Sequence, residues 1–196
     1  AGPSIFHHFN NTTSNIIASL VIDADLPAVE EIEYSTVQKA KKMLMILAER
    51  VPFTPNISQL CKELETTRDV GLKLLYALER AALLKLLISE IKSYKSLSKP
   101  EKVYLNNTNL MYVLTAKVDK GNLRETFFFN QVNAAYSAIM PQKGDFLVDG
   151  KYLFEVGGKG KTFEQIKDIA DSFLAVDDVE CGHKNRIPLW MFGLLY

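Results

Sequence analysis

The stretch Gly144–Lys161, GDFLVDGKYLFEVGGKGK, decides how the second half of the chain folds. Apolar residues alternate on both sides of Asp149-Gly150, a pair suited to the positive backbone angles of a tight hairpin turn. The pattern predicts two short strands, then a Gly/Lys loop opening onto a helix from Thr162 to about Asp171. Two acids interrupt the apolar strands: Asp145 starts the first and Glu155 stands near the end of the second. A carboxylate in such a place costs desolvation energy unless it is paired, solvated or holding a cation. A two-residue turn pairs Val148 with Lys151 and Asp145 with Phe154, which points Glu155 away from Asp145. This simple register is the expectation. A three-residue loop or a bulge would bring the two acids onto one face.

Upstream of the hairpin, Asn122 to Tyr136 reads as a helix with Leu123, Phe127, Phe128, Val132 and Ala135 on one apolar face. Phe128 is expected to be buried against the hairpin. The same helix carries Glu125, so that Glu125, Asp145 and Glu155 form a candidate set of oxygen donors for a divalent ion such as Mg²⁺. Downstream, Phe173 to Val176 reads as a strand. The apolar C-terminus, IPLWMFGLLY from Ile187, supplies one more, with Trp190 in the core. Helix, strands, helix, strand gives a small mixed α/β layer over residues 106–196.

The first half has a different rhythm. Ser35 is placed to cap a helix, with Gln38 three residues on, and Val37, Ala40, Leu44, Leu47 and Val51 recur at helical spacing before Pro52 and Pro55. Asn56 caps a second helix through Leu64. Thr66-Thr67 turns the chain, and a third helix runs from Arg68 to about Ala82. Helix, short turn, longer helix is the helix-turn-helix pattern. A strand from Leu83 to Ser89, a Lys/Ser-rich stretch and a strand from Glu101 to Leu105 add a wing. The unit spans 35–105, and residues 106–120 read as irregular chain or a short helix. Lys73, Tyr76 and Arg80 fall at i, i+3 and i+7 on the third helix, with Arg68 in its first turn. Lys92 and Lys95 flank Tyr94 on the wing. Such residues serve phosphates and bases in a groove, and they serve equally well as a solvated face.

The chain of 196 residues has a formal net charge of zero and 47% hydrophobic residues. That balance argues against a protein given over entirely to polyanions or anionic membrane. The charge is uneven, however: residues 1–34 have five acids and no lysine or arginine, while residues 35–102 have thirteen bases against seven acids. A polyanion would favour the middle of the chain. Two cysteines make no disulfide framework, and no apolar run approaches the ~20 residues of a membrane helix, so a cytoplasmic setting without membrane is expected. Gly160-Lys161-Thr162 imitates the end of a phosphate loop, but that motif needs glycine where Glu155 stands. Cys181 and His183 are too few for a zinc site.

Taken together, NISQLCKELETTRDVGLKLLYALERAALLKLL, KPEKVYLNNTNL, GNLRETFFFNQV, the hairpin block and IPLWMFGLLY resemble the C-terminal region of a bacterial AAA-type ATPase family. The resemblance covers nearly all of Tyr34 to Tyr196. It implies an α+β chain: a winged helix, then a domain similar to the restriction-endonuclease-like fold, with the ATPase module upstream and residues 1–34 a linker or its remnant. It implies Glu125, Asp145 and Glu155 as that fold's acids, with Asp145 and Glu155 as candidate metal ligands. The nuclease pattern also wants Glu-x-Lys, and Gly157 stands where the lysine belongs; Lys159 or Lys161 would have to reach in from the glycine-rich loop. The expected function is therefore recognition of nucleic acid or a protein partner, with an inactive nuclease-like domain and no certain cofactor. A divalent-metal-dependent nuclease and a purely structural assembly region are the alternatives.

Overall fold

The computed structural model describes residues 34–89, 99–115 and 117–195. These form two compact units, the first ending at Val118 and the second beginning at Asp119, with residues 87–89 counted in the second. The boundary thus lies later than the 105/106 expected from sequence, because a short helix after Leu105 packs with the first unit. Both helices and sheets are present, and the chain is mixed α and β.

In the first unit, α1 (Tyr34–Ala48) buries Val37, Ala40, Leu44 and Leu47 together with Met43. Ser35 lies inside this helix and does not cap it. The Asn56 side chain accepts the Gln59 N–H (3.2 Å) and caps α2 (Ile57–Glu63). Gln59 sends its own amide to Glu63 at 3.2 Å, so the capping box is only half made. Thr67 caps α3 (Arg68–Arg80) through the Val70 N–H. That helix stops short of Ala82, whose φ of 55° is incompatible with continuing it. Gly71 lies against the Cys61 sulfur, and only a residue without Cβ lets α3 approach α2 so closely. β1 (Leu84–Leu87) hydrogen-bonds to β2 (Lys102–Leu105), and Phe53 bridges Val103 antiparallel. α4 (Thr108–Leu114), capped by Asn107, resolves the stretch that sequence left open. Lys92, Tyr94 and Lys95 lie outside the described residues.

In the second unit, Asp119 caps α5 (Lys120–Ala135) through the Asn122 N–H at 2.9 Å. A five-stranded sheet follows in spatial order β3 (Ala138–Ile139), β4 (Phe146–Val148), β5 (Tyr152–Gly157), β6 (Ser172–Val176), β7 (Arg186–Pro188). The first two pairings are antiparallel and the last two parallel. On one face Phe128 of α5 is fully buried against the rings of Phe146, Phe154 and Phe192, with centroids 5.1, 5.0 and 4.7 Å away. On the other, Leu153, Leu174 and Val176 pack with Ile166, Phe163, Ile169 and Val179.

Two expectations about this unit are corrected. The segment from Thr162 to Asp171 is a series of turns and not a helix. Its bonds run three residues back (Ile166 to Phe163, Ile169 to Ile166), and the Ser172 hydroxyl donates to the Ile166 and Ile169 carbonyls. A side chain that occupies those carbonyls competes with the helical ladder. The strand expected from Ile187 is present only over Ile187 and Pro188, within β7, and from Leu189 the chain winds into a 3₁₀ helix (Leu189–Leu194). That winding buries Leu189 and Phe192 but leaves Trp190 53% exposed, so Trp190 is not a core residue.

Candidate functional site

The hairpin turn departs from the simple expectation by one residue. Asp149 and Gly150 adopt φ of 50° and 65°, and the Lys151 N–H closes the turn on the Val148 carbonyl at 3.0 Å. The strand register, though, pairs Val148 with Tyr152, Leu147 with Leu153 and Phe146 with Phe154, leaving Lys151 as an extra residue. At Asp145 that register does not continue, and Asp145 and Phe146 both lie opposite Phe154. Two bonds fix Asp145. The Asp145 N–H donates to the Phe154 carbonyl (2.9 Å), and its Oδ2 accepts the Val156 N–H (2.8 Å), so Asp145 grips β5 on both sides of Glu155. A one-residue slip in a hairpin exchanges the faces of every side chain beyond it. Here it pairs Phe146 with Phe154 instead of Leu153.

Glu155 is only 2% exposed. Its Oε1 receives Lys161 Nζ at 2.6 Å, while Oε2 is buried without a hydrogen-bond partner. Leaving a buried carboxylate oxygen unsatisfied costs about 1–3 kcal/mol or more, which marks the spot as unusual. Lys161 reaches Glu155 because Gly157 has no side chain. A Cβ at 157 would sit 2.8–2.9 Å from Cβ, Cγ and Cδ of Lys161, inside the lysine stem. The structure therefore puts Lys161, and not Lys159, beside Glu155. Lys159 is exposed, and its carbonyl accepts Arg186 Nη2 at 2.9 Å.

The loop itself is braced in ways its glycines conceal. Arg186 also donates to the Lys161 carbonyl (3.0 Å), and Lys161 N–H donates to the Gly158 carbonyl (2.9 Å). Arg124 of α5 lies over Gly158 and is held by Asp177 (2.9 Å) and Asp178 (3.1 Å). Burial alone would raise the Asp177 carboxyl. The Arg124 hydrogen bond, a backbone bond and nearby positive charge outweigh that effect and hold it below the usual range. Neither arginine stood out in the sequence, since nothing local signals a contact across 53 or 25 residues. The loop rises from the carboxyl ends of parallel strands, the place where open α/β sheets take their ligands.

Glu125 lies on α5, partly buried, and among the described residues no group of three His, Cys, Asp or Glu side chains comes together to hold a metal. Glu155 alone offers an orphaned carboxylate oxygen, Oε2, and Mg²⁺ takes one or two carboxylates and fills its remaining positions with water or phosphate oxygens.

The candidate groups on α3 are arranged differently. Gly71, Leu72, Leu74, Leu75, Ala77 and Leu78 face the core of the first unit, while Arg68, Lys73 and Arg80 are exposed and Tyr76 is partly so. Beside the helix end, Glu79 accepts the Leu86 N–H at 3.2 Å. Burial raises the Glu79 carboxyl and lowers the neighbouring Lys85 ammonium. Among the described residues no helix is long and apolar enough to cross a membrane. Comparison of the chain with protein-family models, with curated proteins and with solved structures finds no match in any of the three.

Proposed function

We propose that this chain is the C-terminal recognition region of a bacterial AAA-type ATPase, and that its first unit is a winged helix that binds duplex nucleic acid through α3. The carrying observation is the division of α3 into a buried apolar side and an outer side bearing Arg68, Lys73 and Arg80. A capped helix fixed on its inner face presents those cations at constant spacing, which is what a groove-reading helix requires. The test is anisotropy of a labelled duplex titrated with the full chain over a series of salt concentrations. Affinity that falls steeply with salt supports the reading, since phosphate contacts release counterions. Binding indifferent to salt, or confined to a protein partner, contradicts it.

A second reading is a divalent-metal-dependent nuclease in the second unit, with a domain of the restriction-endonuclease-like kind. Two observations favour it: the buried, unpartnered Oε2 of Glu155, and the lysine beside that acid. Asp145 and Glu155 would hold Mg²⁺, which when bound polarises a phosphoryl oxygen and makes water a better nucleophile. Glu155 is also neutralised by Lys161 in the geometry described here, which weakens its hold on an ion. Cleavage of DNA with Mn²⁺ that Glu155→Gln eliminates would raise this reading above the first.

A further inference from the structure

We infer that the second unit holds a binding site for a small organic cation, an apolar body bearing one ammonium group, at the end of the sheet where the hairpin turns. A cavity of about 360 Å³ opens there, at the lower end of the range that takes small ligands. Side chains along β5 alternate between faces, so Tyr152 and Phe154 share the α5 side with Phe128, while Leu153 and Glu155 lie on the other. The site is therefore distinct from Glu155 and Lys161, and it depends on neither reading of function given above.

The ligand's chemistry follows from the walls. Val132 of α5, Phe154 and Phe192 line the cavity and are buried, which gives it an apolar interior. Tyr136 and Tyr152 line it as well and stay 45% and 39% exposed, which sets two aromatic rings at the mouth. Among the described residues Asp149 is the one charged group that lines it. The turn fixes that carboxylate: the Asp149 N–H donates to the Ser137 carbonyl (2.8 Å), and Oδ1 accepts the Ser137 N–H (2.9 Å), which commits one oxygen of the two. An apolar body gains from the buried walls, and an ammonium gains from both the carboxylate and the faces of the tyrosine rings. The Tyr152 ring already takes a cation, with Lys151 Nζ 4.8 Å from its centroid. An anion would instead meet Asp149 and the negative faces of those rings.

The test titrates the full chain with phenethylammonium and, in parallel, with phenethyl alcohol and phenylacetate, following backbone amide shifts by heteronuclear NMR. The ammonium should bind saturably, with shifts centred on Tyr136, Asp149 and Tyr152. The alcohol should bind about tenfold more weakly, lacking both the ion pair and the cation–ring contact, and phenylacetate should not bind measurably. Asp149→Asn tolerates the φ of 50° and keeps an oxygen for Ser137, so it should weaken the ammonium about fivefold and leave the alcohol unchanged. Tyr136→Leu should weaken the ammonium about threefold and Tyr136→Phe not at all, since the ring face and not the hydroxyl makes the contact. Lys151→Met removes a charge of the ligand's own sign and should bind at least as tightly. The amide spectrum of each variant reports whether it folds, and the comparison of the three ligands on the unaltered chain decides without any variant. The inference is overturned if the ammonium causes no saturable shift, if the shifts centre on other residues, or if the alcohol or phenylacetate binds as tightly. It is overturned equally if Asp149→Asn leaves the preference for the ammonium intact or if Lys151→Met abolishes binding.

Discussion

The α3 helix and the loop from Gly157 to Lys161 both offer cations, and they place them by opposite means. On α3 the spacing follows from the helical repeat: once Leu72, Leu75 and Leu78 are buried, the outward direction of Lys73 and Arg80 is fixed by geometry alone. In the loop, Lys161 reaches Glu155 under two separate conditions. Gly157 lacks a side chain, and Arg186 ties the loop from a strand 25 residues away. The first arrangement tolerates substitution of any one cation. The second should fail when any of its conditions fails.

The largest expected effect tests what holds the loop's platform. Phe128→Ala removes the ring on which Phe146, Phe154 and Phe192 converge, and should cost roughly 3–5 kcal/mol in urea unfolding of the second unit. A loss below about 1 kcal/mol would show that α5 does not seal the sheet as described. The next is the ion pair. Lys161→Met leaves Glu155 buried and uncompensated and should cost about 2–3 kcal/mol, below the range for fully buried pairs because the lysine is partly exposed. Adding Glu155→Gln should recover much of that loss. If the double variant is no more stable than the single, Glu155 does not depend on Lys161. By contrast, Lys73→Ala at an exposed position of α3 should change stability by no more than about 0.5 kcal/mol.

A smaller effect appears in acid. Asp177 is held below its ordinary value of 3.8, so its contribution is present above that value and is lost as pH falls through the lower folded value. Arg124→Ala should therefore narrow the difference in unfolding midpoint between pH 6 and pH 3, about the span of that titration. A pH dependence unchanged by Arg124→Ala would mean that Asp177 is not the group responsible.

The same contrast explains what could be read from sequence. The helix cap at Asn56, the burial of Phe128 and the turn at Asp149-Gly150 all depend on neighbours within a few residues, and local pattern is sufficient for them. The acids Asp145 and Glu155 were visible, yet the register of the strands that carry them turned on whether Val148 pairs with Lys151 or Tyr152. That choice is a single residue in a turn compatible with either. The helix expected over Thr162–Asp171 failed because Ser172 takes two of its carbonyls. Trp190 looked like core because composition weighs its size, while the 3₁₀ winding chose Phe192 instead. Lys161 was one of two lysines that could be imagined at the acid. Only the gap at Gly157 and the long-range brace at Arg186 distinguish it from Lys159.

The central claim is that α3 binds duplex nucleic acid through its outward cations, and the salt dependence of that binding tests it most directly. Each phosphate contact on B-DNA contributes about 0.9 to the slope of log affinity against log salt. Lys73→Ala with Arg80→Ala should therefore lower the magnitude of the slope by about 1.8 while leaving the unfolding midpoint in place. A wild-type chain that binds duplex with no salt dependence, or a double variant whose slope equals that of the wild type, would contradict it.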